Sequence, residues 1–116
     1  MGVTGLSIFL GPEDDLVDPF VRHIDYMVNL VGPSHVGISL DYVYNQEEMN
    51  QLLTTQRGTW PAGYGYEPGI RFVAPEDVEA VVDRLLRLGY SDEDIEKILG
   101  GNFLRVADQV WKSPIV

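Results

Sequence analysis

After the break at Gly32-Pro33, Val36, Ile38 and Leu40 alternate with Gly37 and Ser39, and the run ends on Asp41. Neither face of such a segment demands water, so both can be covered, which is the pattern of a buried parallel strand. Upstream, Leu6, Ile8 and Leu10 alternate with Gly5, Ser7 and Phe9, predicting a strand over Val3–Leu10 that stops at Gly11-Pro12. Acidic Glu13-Asp14-Asp15 reads as a loop, and Asp18-Pro19 then supplies an N-cap and a proline for the first helical position. Phe20, Ile24, Met27, Val28 and Val31 recur at helical spacing, so a helix is expected from Asp18 to Val31, closed by Gly32-Pro33. Strand, helix and strand with short connections make residues 1–41 a βαβ unit with parallel strands and a right-handed crossover.

From Tyr42 to Phe72 the periodicity dissolves. Glycines 58, 63, 65 and 69 and prolines 61 and 68 interrupt every run, while Trp60, Tyr64 and Tyr66 carry large amphipathic rings. Glu47–Leu53 allows a short helix; the rest reads as an aromatic loop, either packed across a sheet edge or facing a ligand. Helical spacing returns in the tail, residues 73–116. Pro75 opens a helix with Val78, Val81, Val82, Leu85 and Leu86 on one stripe and Gly89 at its end. Ser91 and Asp94 resemble a capping box for a second helix carrying Ile95, Ile98 and Leu99, stopped by Gly100-Gly101. Asn102 can cap a third helix, with Leu104, Ala107 and Trp111 expected inward.

With 116 residues this is one domain, 1–116, short of the roughly 250 residues of a complete α/β barrel. Eight Lys and Arg stand against 18 Asp and Glu, a net charge of −10 that repels polyphosphate, so nucleic acid is not an expected partner. No window reaches the ~20 apolar residues of a membrane span, and the amino terminus lacks the features of a signal peptide. The absence of cysteine removes disulfides and thiolate zinc sites, leaving His, Asp and Glu as the possible metal ligands.

Asp41 is the foremost candidate for chemistry, because loops gather at the carboxyl ends of parallel strands. Alone it is a general acid or base without partners, or a structural cap. The two histidines, His23 within the first helix and His35 ahead of the second strand, show neither His-x-His nor His-x-x-x-His spacing, and each is more often structural than ligating in such a setting. There is no Gly-x-Ser-x-Gly elbow and no strand-to-helix phosphate loop.

Three stretches together resemble the carboxy-terminal third of the membrane dipeptidase (renal dipeptidase) family, peptidase family M19. They are His35-Val36-Gly37-Ile38-Ser39-Leu40-Asp41-Tyr42-Val43-Tyr44, then Tyr64-Gly65-Tyr66 with Arg71-Phe72-Val73, and above all the run from Leu88-Gly89-Tyr90-Ser91 to Leu99-Gly100-Gly101-Asn102-Phe103-Leu104-Arg105-Val106. That family comprises zinc-dependent hydrolases that cleave dipeptides. The resemblance implies an α/β fold, the carboxy-terminal portion of a (β/α)8 TIM-type barrel of the metal-dependent hydrolase kind. Val3–Leu10 would be its seventh strand, Asp18–Val31 its seventh helix and His35–Leu40 its eighth strand.

By the same resemblance Asp41 is the catalytic aspartate, beside a hydroxide held by two zinc ions and able to pass its proton to the leaving amine. Family members often carry Gly-Asp-Phe-Asp-Gly where this chain has Leu40-Asp41-Tyr42-Val43-Tyr44, so the first aspartate is kept and the second is not. The family's zinc ligands belong to earlier strands; neither His23 nor His35 matches one, and no metal or cofactor ligand carries over. The expectation is thus a fragment of a dipeptide-cleaving metallohydrolase, inactive and zinc-free alone, that forms a homo-oligomer or pairs with the rest of a barrel. The alternative is a non-catalytic binding or assembly module that presents the Trp60–Tyr66 loop to a partner.

Overall fold

A computed structural model describes residues 1–112. Two short strands, β1 (Gly2–Thr4) and β2 (Gly37–Ser39), lie parallel with Gly2 opposite Gly37, Val3 opposite Ile38 and Thr4 opposite Ser39. Between them run a helical turn, α1 (Ser7–Leu10), and the long helix α2 (Val17–Val31). Beyond β2 come α3 (Gln46–Thr55), α4 (Val78–Arg87), α5 (Asp92–Glu96) and α6 (Asn102–Val110).

This architecture replaces the expected barrel portion. A (β/α)8 barrel pairs every strand with parallel neighbours. Here the sheet is two strands wide, each strand is three residues long, and the chain leaving β1 makes an antiparallel bridge from Leu6 to Phe72. The Gly5 carbonyl accepts from the Val73 amide at 2.8 Å, and the Ser7 amide donates to the Arg71 carbonyl at 2.9 Å. The protein is a helix-rich fold on a two-stranded parallel sheet.

The predicted strand Val3–Leu10 therefore ends at Thr4. Once residues 5–7 are bonded to 71–73, the next residues close a helical turn, with the Leu10 amide on the Leu6 carbonyl at 3.1 Å, and Gly11 at φ 113° releases the chain. Four apolar residues around one serine fit a turn of helix as well as a strand, and tertiary bonding decided between them.

Helix α2 also begins earlier than Asp18-Pro19 suggested. Asp15 Oδ1 accepts from the Val17 amide at 2.9 Å, so Asp18 sits in the first turn and Pro19 two residues into the helix, where its missing N–H has no intrahelical partner to lose. The inward face of α2 buries Phe20 and Ile24 completely against Val81 and Leu85 of α4. Ile95 and Ile98 close this core from the far side, and Val3, Val36 and Val73 close it from the sheet. Each such side chain contributes roughly 1.5–3 kcal/mol through burial.

In the tail, Ser91 accepts from the Asp94 amide at 3.1 Å and so caps α5. Asn102 does not act as the expected cap. It is buried as the first residue of α6, and its amide donates to the carbonyls of Pro33 and Val36, both at 2.7 Å, while its oxygen accepts from Arg105 at 2.7 Å. The expected inward face of α6 is a second correction: Leu104 is 72% and Trp111 80% exposed. Asn102 and the ring of Phe103, which lies over Gly37, fix α6 in an orientation that turns those two side chains outward. No helix among the described residues is long and apolar enough to cross a membrane.

Candidate functional site

The carboxyl ends of the two strands come close together. A Cβ on Gly5 would lie 3.0 Å from the Leu40 carbonyl oxygen and 3.2 Å from Val73 Cβ, so glycine eases the close approach of the chain after β1 to the chain after β2. Immediately beyond this approach, Asp41 turns the backbone with φ 51°, the one positive φ among described non-glycine residues. Aspartate tolerates this left-handed conformation better than most residues, and such conformations gather at sites where structure is held for function.

Asp41 lines a cavity of about 500 Å³ at this end of the sheet. Its floor comes from Leu6, Ile8 and Phe9, the residues of the turn that replaced the predicted strand. One wall is Met49, Leu52 and Leu53 of α3. Asn45 sets that wall, because its side chain accepts from the Glu48 amide at 3.1 Å and starts the helix there. Trp60, Tyr66 and Phe72 complete the enclosure from the glycine- and proline-rich segment. Two edge-to-face ring pairs stiffen it: Trp60 with Tyr66 at 5.1 Å and Tyr42 with Phe72 at 5.6 Å.

Arg71 anchors this segment from behind. Its guanidinium donates to the carbonyls of Gly11, Glu13 and Asp14, and its backbone amide donates to Ser7 Oγ at 2.9 Å. The loop after α1 is thereby tied to the strip that pairs with the chain leaving β1. Of the residues quoted for the dipeptidase resemblance, Arg71, Phe72 and Val73 thus serve as a clamp, a cavity wall and a core residue.

Neither histidine joins Asp41. His23 lies on α2 beside a surface cleft with Arg22, Tyr26 and Met27, and His35 ends a short turn at the amino-terminal edge of the sheet, where its carbonyl accepts from the terminal amine at 2.7 Å. Among the described residues no three His, Asp or Glu side chains converge to hold a metal ion. The short helix that the sequence allowed over Glu47–Leu53 is present and runs from Gln46 to Thr55 with Asn45 as its cap, whereas the floor from α1 escaped sequence reasoning.

No known family pattern matches the chain, and no solved structure matches it. A curated relative from Klebsiella pneumoniae, described as "Uncharacterized protein in pqqA 5'region", is 27% identical over 100 residues. The alignment covers 86% of this chain and 29% of the relative, so the chain spans less than a third of that protein's length. The description of the relative names no activity.

Proposed function

We propose that the chain is the Asp41-bearing segment of a zinc-dependent, dipeptide-cleaving hydrolase of the membrane dipeptidase kind. The observation that carries this reading is Asp41 itself, held at φ 51° on the rim of an apolar cavity of dipeptide size. The long dipeptidase-like motif through Leu99-Gly100-Gly101-Asn102 adds to it, and so does the small share of a much longer relative that the chain covers. Asp41 holds and releases the proton that the leaving amine of the cleaved peptide takes up. Zinc would supply the activated hydroxide when bound, and its ligands would come from residues of the parent protein outside this chain.

The isolated chain is then inactive and zinc-free, and it associates with itself or with the remainder of its parent. Nucleic acid is not among its partners, given a net charge of −10. A second reading, a non-catalytic binding or assembly module, draws on the exposed rings of Tyr64 and Trp60 in the loop. One pair of measurements separates the two. Zinc by elemental analysis and dipeptide hydrolysis are followed on the purified chain and on the full genomic reading frame that contains it. Metal and turnover in the long protein with neither in the chain fit the hydrolase; neither in both leaves the module.

A further inference from the structure

The Asp41 cavity has a selectivity that the proposed activity does not specify. Its floor and walls are built from Leu, Ile, Met and aromatic side chains, and among the described residues that line it Asp41 carries the one charge. No ion pair among the described residues engages that carboxylate. A ligand that fills such a space gains by burying an apolar group of side-chain size, and its charged end is drawn to the carboxylate rather than to any basic group. A carboxylate-bearing end meets repulsion there, reinforced by the chain's net charge of −10. Trp60, Tyr66 and Phe72 also line the cavity, and aromatic rings attract a cation.

From this we infer that the cavity is a binding site for small molecules that join a protonated amine to a bulky apolar group, with the ammonium on Asp41 and the apolar group against α1, α3 and the aromatic segment. Within the proposed activity this selects substrates whose apolar side chain lies next to a free amine. The inference rests on that reading for the importance of the site and not for its chemistry.

The test uses the full chain with Trp111→Phe, which removes an exposed indole that does not line the cavity and leaves Trp60 as the reporter. Leucinamide, N-acetylleucinamide and 4-methylpentanoate are titrated at neutral pH while Trp60 emission is followed. Leucinamide is expected to shift the emission saturably, and N-acetylleucinamide, which keeps the apolar group and loses the charge, to bind at least about tenfold more weakly. 4-Methylpentanoate should be the weakest of the three. Asp41→Asn keeps a residue that accepts the left-handed backbone, and it should abolish the difference between the amine and its acetylated form. Equal or tighter binding of N-acetylleucinamide, no saturable response to leucinamide, or an unchanged preference in Asp41→Asn would each overturn the inference. The assay needs neither zinc nor turnover. Amine selectivity in a protein whose full reading frame cleaves no dipeptide leaves this inference standing and removes the proposed activity; the reverse outcome removes this inference alone.

Discussion

Asp41 and Asn102 hold the two positions where a single side chain decides most. At Asp41 the backbone is left-handed, a conformation that costs a β-branched residue about 2 kcal/mol and glycine nothing. Asp41→Gly should therefore leave stability unchanged or raise it by up to ~1 kcal/mol, and Asp41→Val should lower it by ~2 kcal/mol, both read by urea denaturation. A stable Asp41→Gly that no longer distinguishes leucinamide from its acetylated form would identify a residue retained for binding rather than for folding. Asn102 works the other way. Both its amide protons are spent on the Pro33 and Val36 carbonyls, so Asn102→Asp, nearly identical in shape, turns an oxygen toward two oxygens. A loss of at least ~2 kcal/mol is expected despite the conserved volume, and a loss below ~0.5 kcal/mol would mean that the carbonyls find other donors. Asp41 was legible in the sequence because a carboxylate closing an apolar run is a local signal. The role of Asn102 was not, because its partners lie 69 and 66 residues away and its local preference for caps points elsewhere.

Among the elements, those set by local chemistry were legible and those set by distant backbone partners were not. Helix α4, with its apolar stripe and Gly89 at φ 91°, and the start of α5 at Ser91 follow from spacing and caps. The turn α1 does not, since the bonds that stop β1 come from residues 71–73. Contacts between elements carry their own consequences. Arg84 of α4 donates to Asp18 of α2 at 2.8 Å, which raises the affinity of the guanidinium for its proton. More deeply placed, the Tyr90 hydroxyl donates to Asp25 of α2 at 2.7 Å and joins α2 to the turn after α4.

Partial burial, together with that carboxylate, pushes the phenol of Tyr90 well above its ordinary range. Above pH ~10 the unfolded chain gives up this proton while the folded chain keeps it, so stability is full below that pH and declines as pH rises through it. Tyr90→Phe should cost about 1.5 kcal/mol at neutral pH and flatten the alkaline decline, as measured by denaturation across a pH series. An equally steep decline in the variant would place its origin in another group.

As a whole the molecule is broad and thin, with extents of 49 × 43 × 25 Å and a radius of gyration of 16.6 Å, against about 13 Å for a compact domain of this length. Its accessible surface of 7676 Å² likewise exceeds the ~6,300 Å² expected of a folded monomer of its mass. Part of the exposed apolar surface lies on α6 and just past its end, at Leu104, Val110 and Trp111. That surface argues for the association proposed above. Sedimentation velocity should show species larger than one chain at tens of micromolar, and the pair Leu104→Glu with Trp111→Glu should return the chain to a monomer with a stability change within ~0.5 kcal/mol. A wild-type monomer at every concentration would remove association from the account.

The proposed activity is tested most directly by turnover in the full genomic reading frame, wild type against Asp41→Asn, with zinc measured on the same samples. The account predicts that the variant keeps its metal and loses dipeptide hydrolysis by ~10²–10⁴-fold, the range for removing a positioned general acid or base. Undiminished hydrolysis in Asp41→Asn would contradict it and take the catalytic role away from this residue.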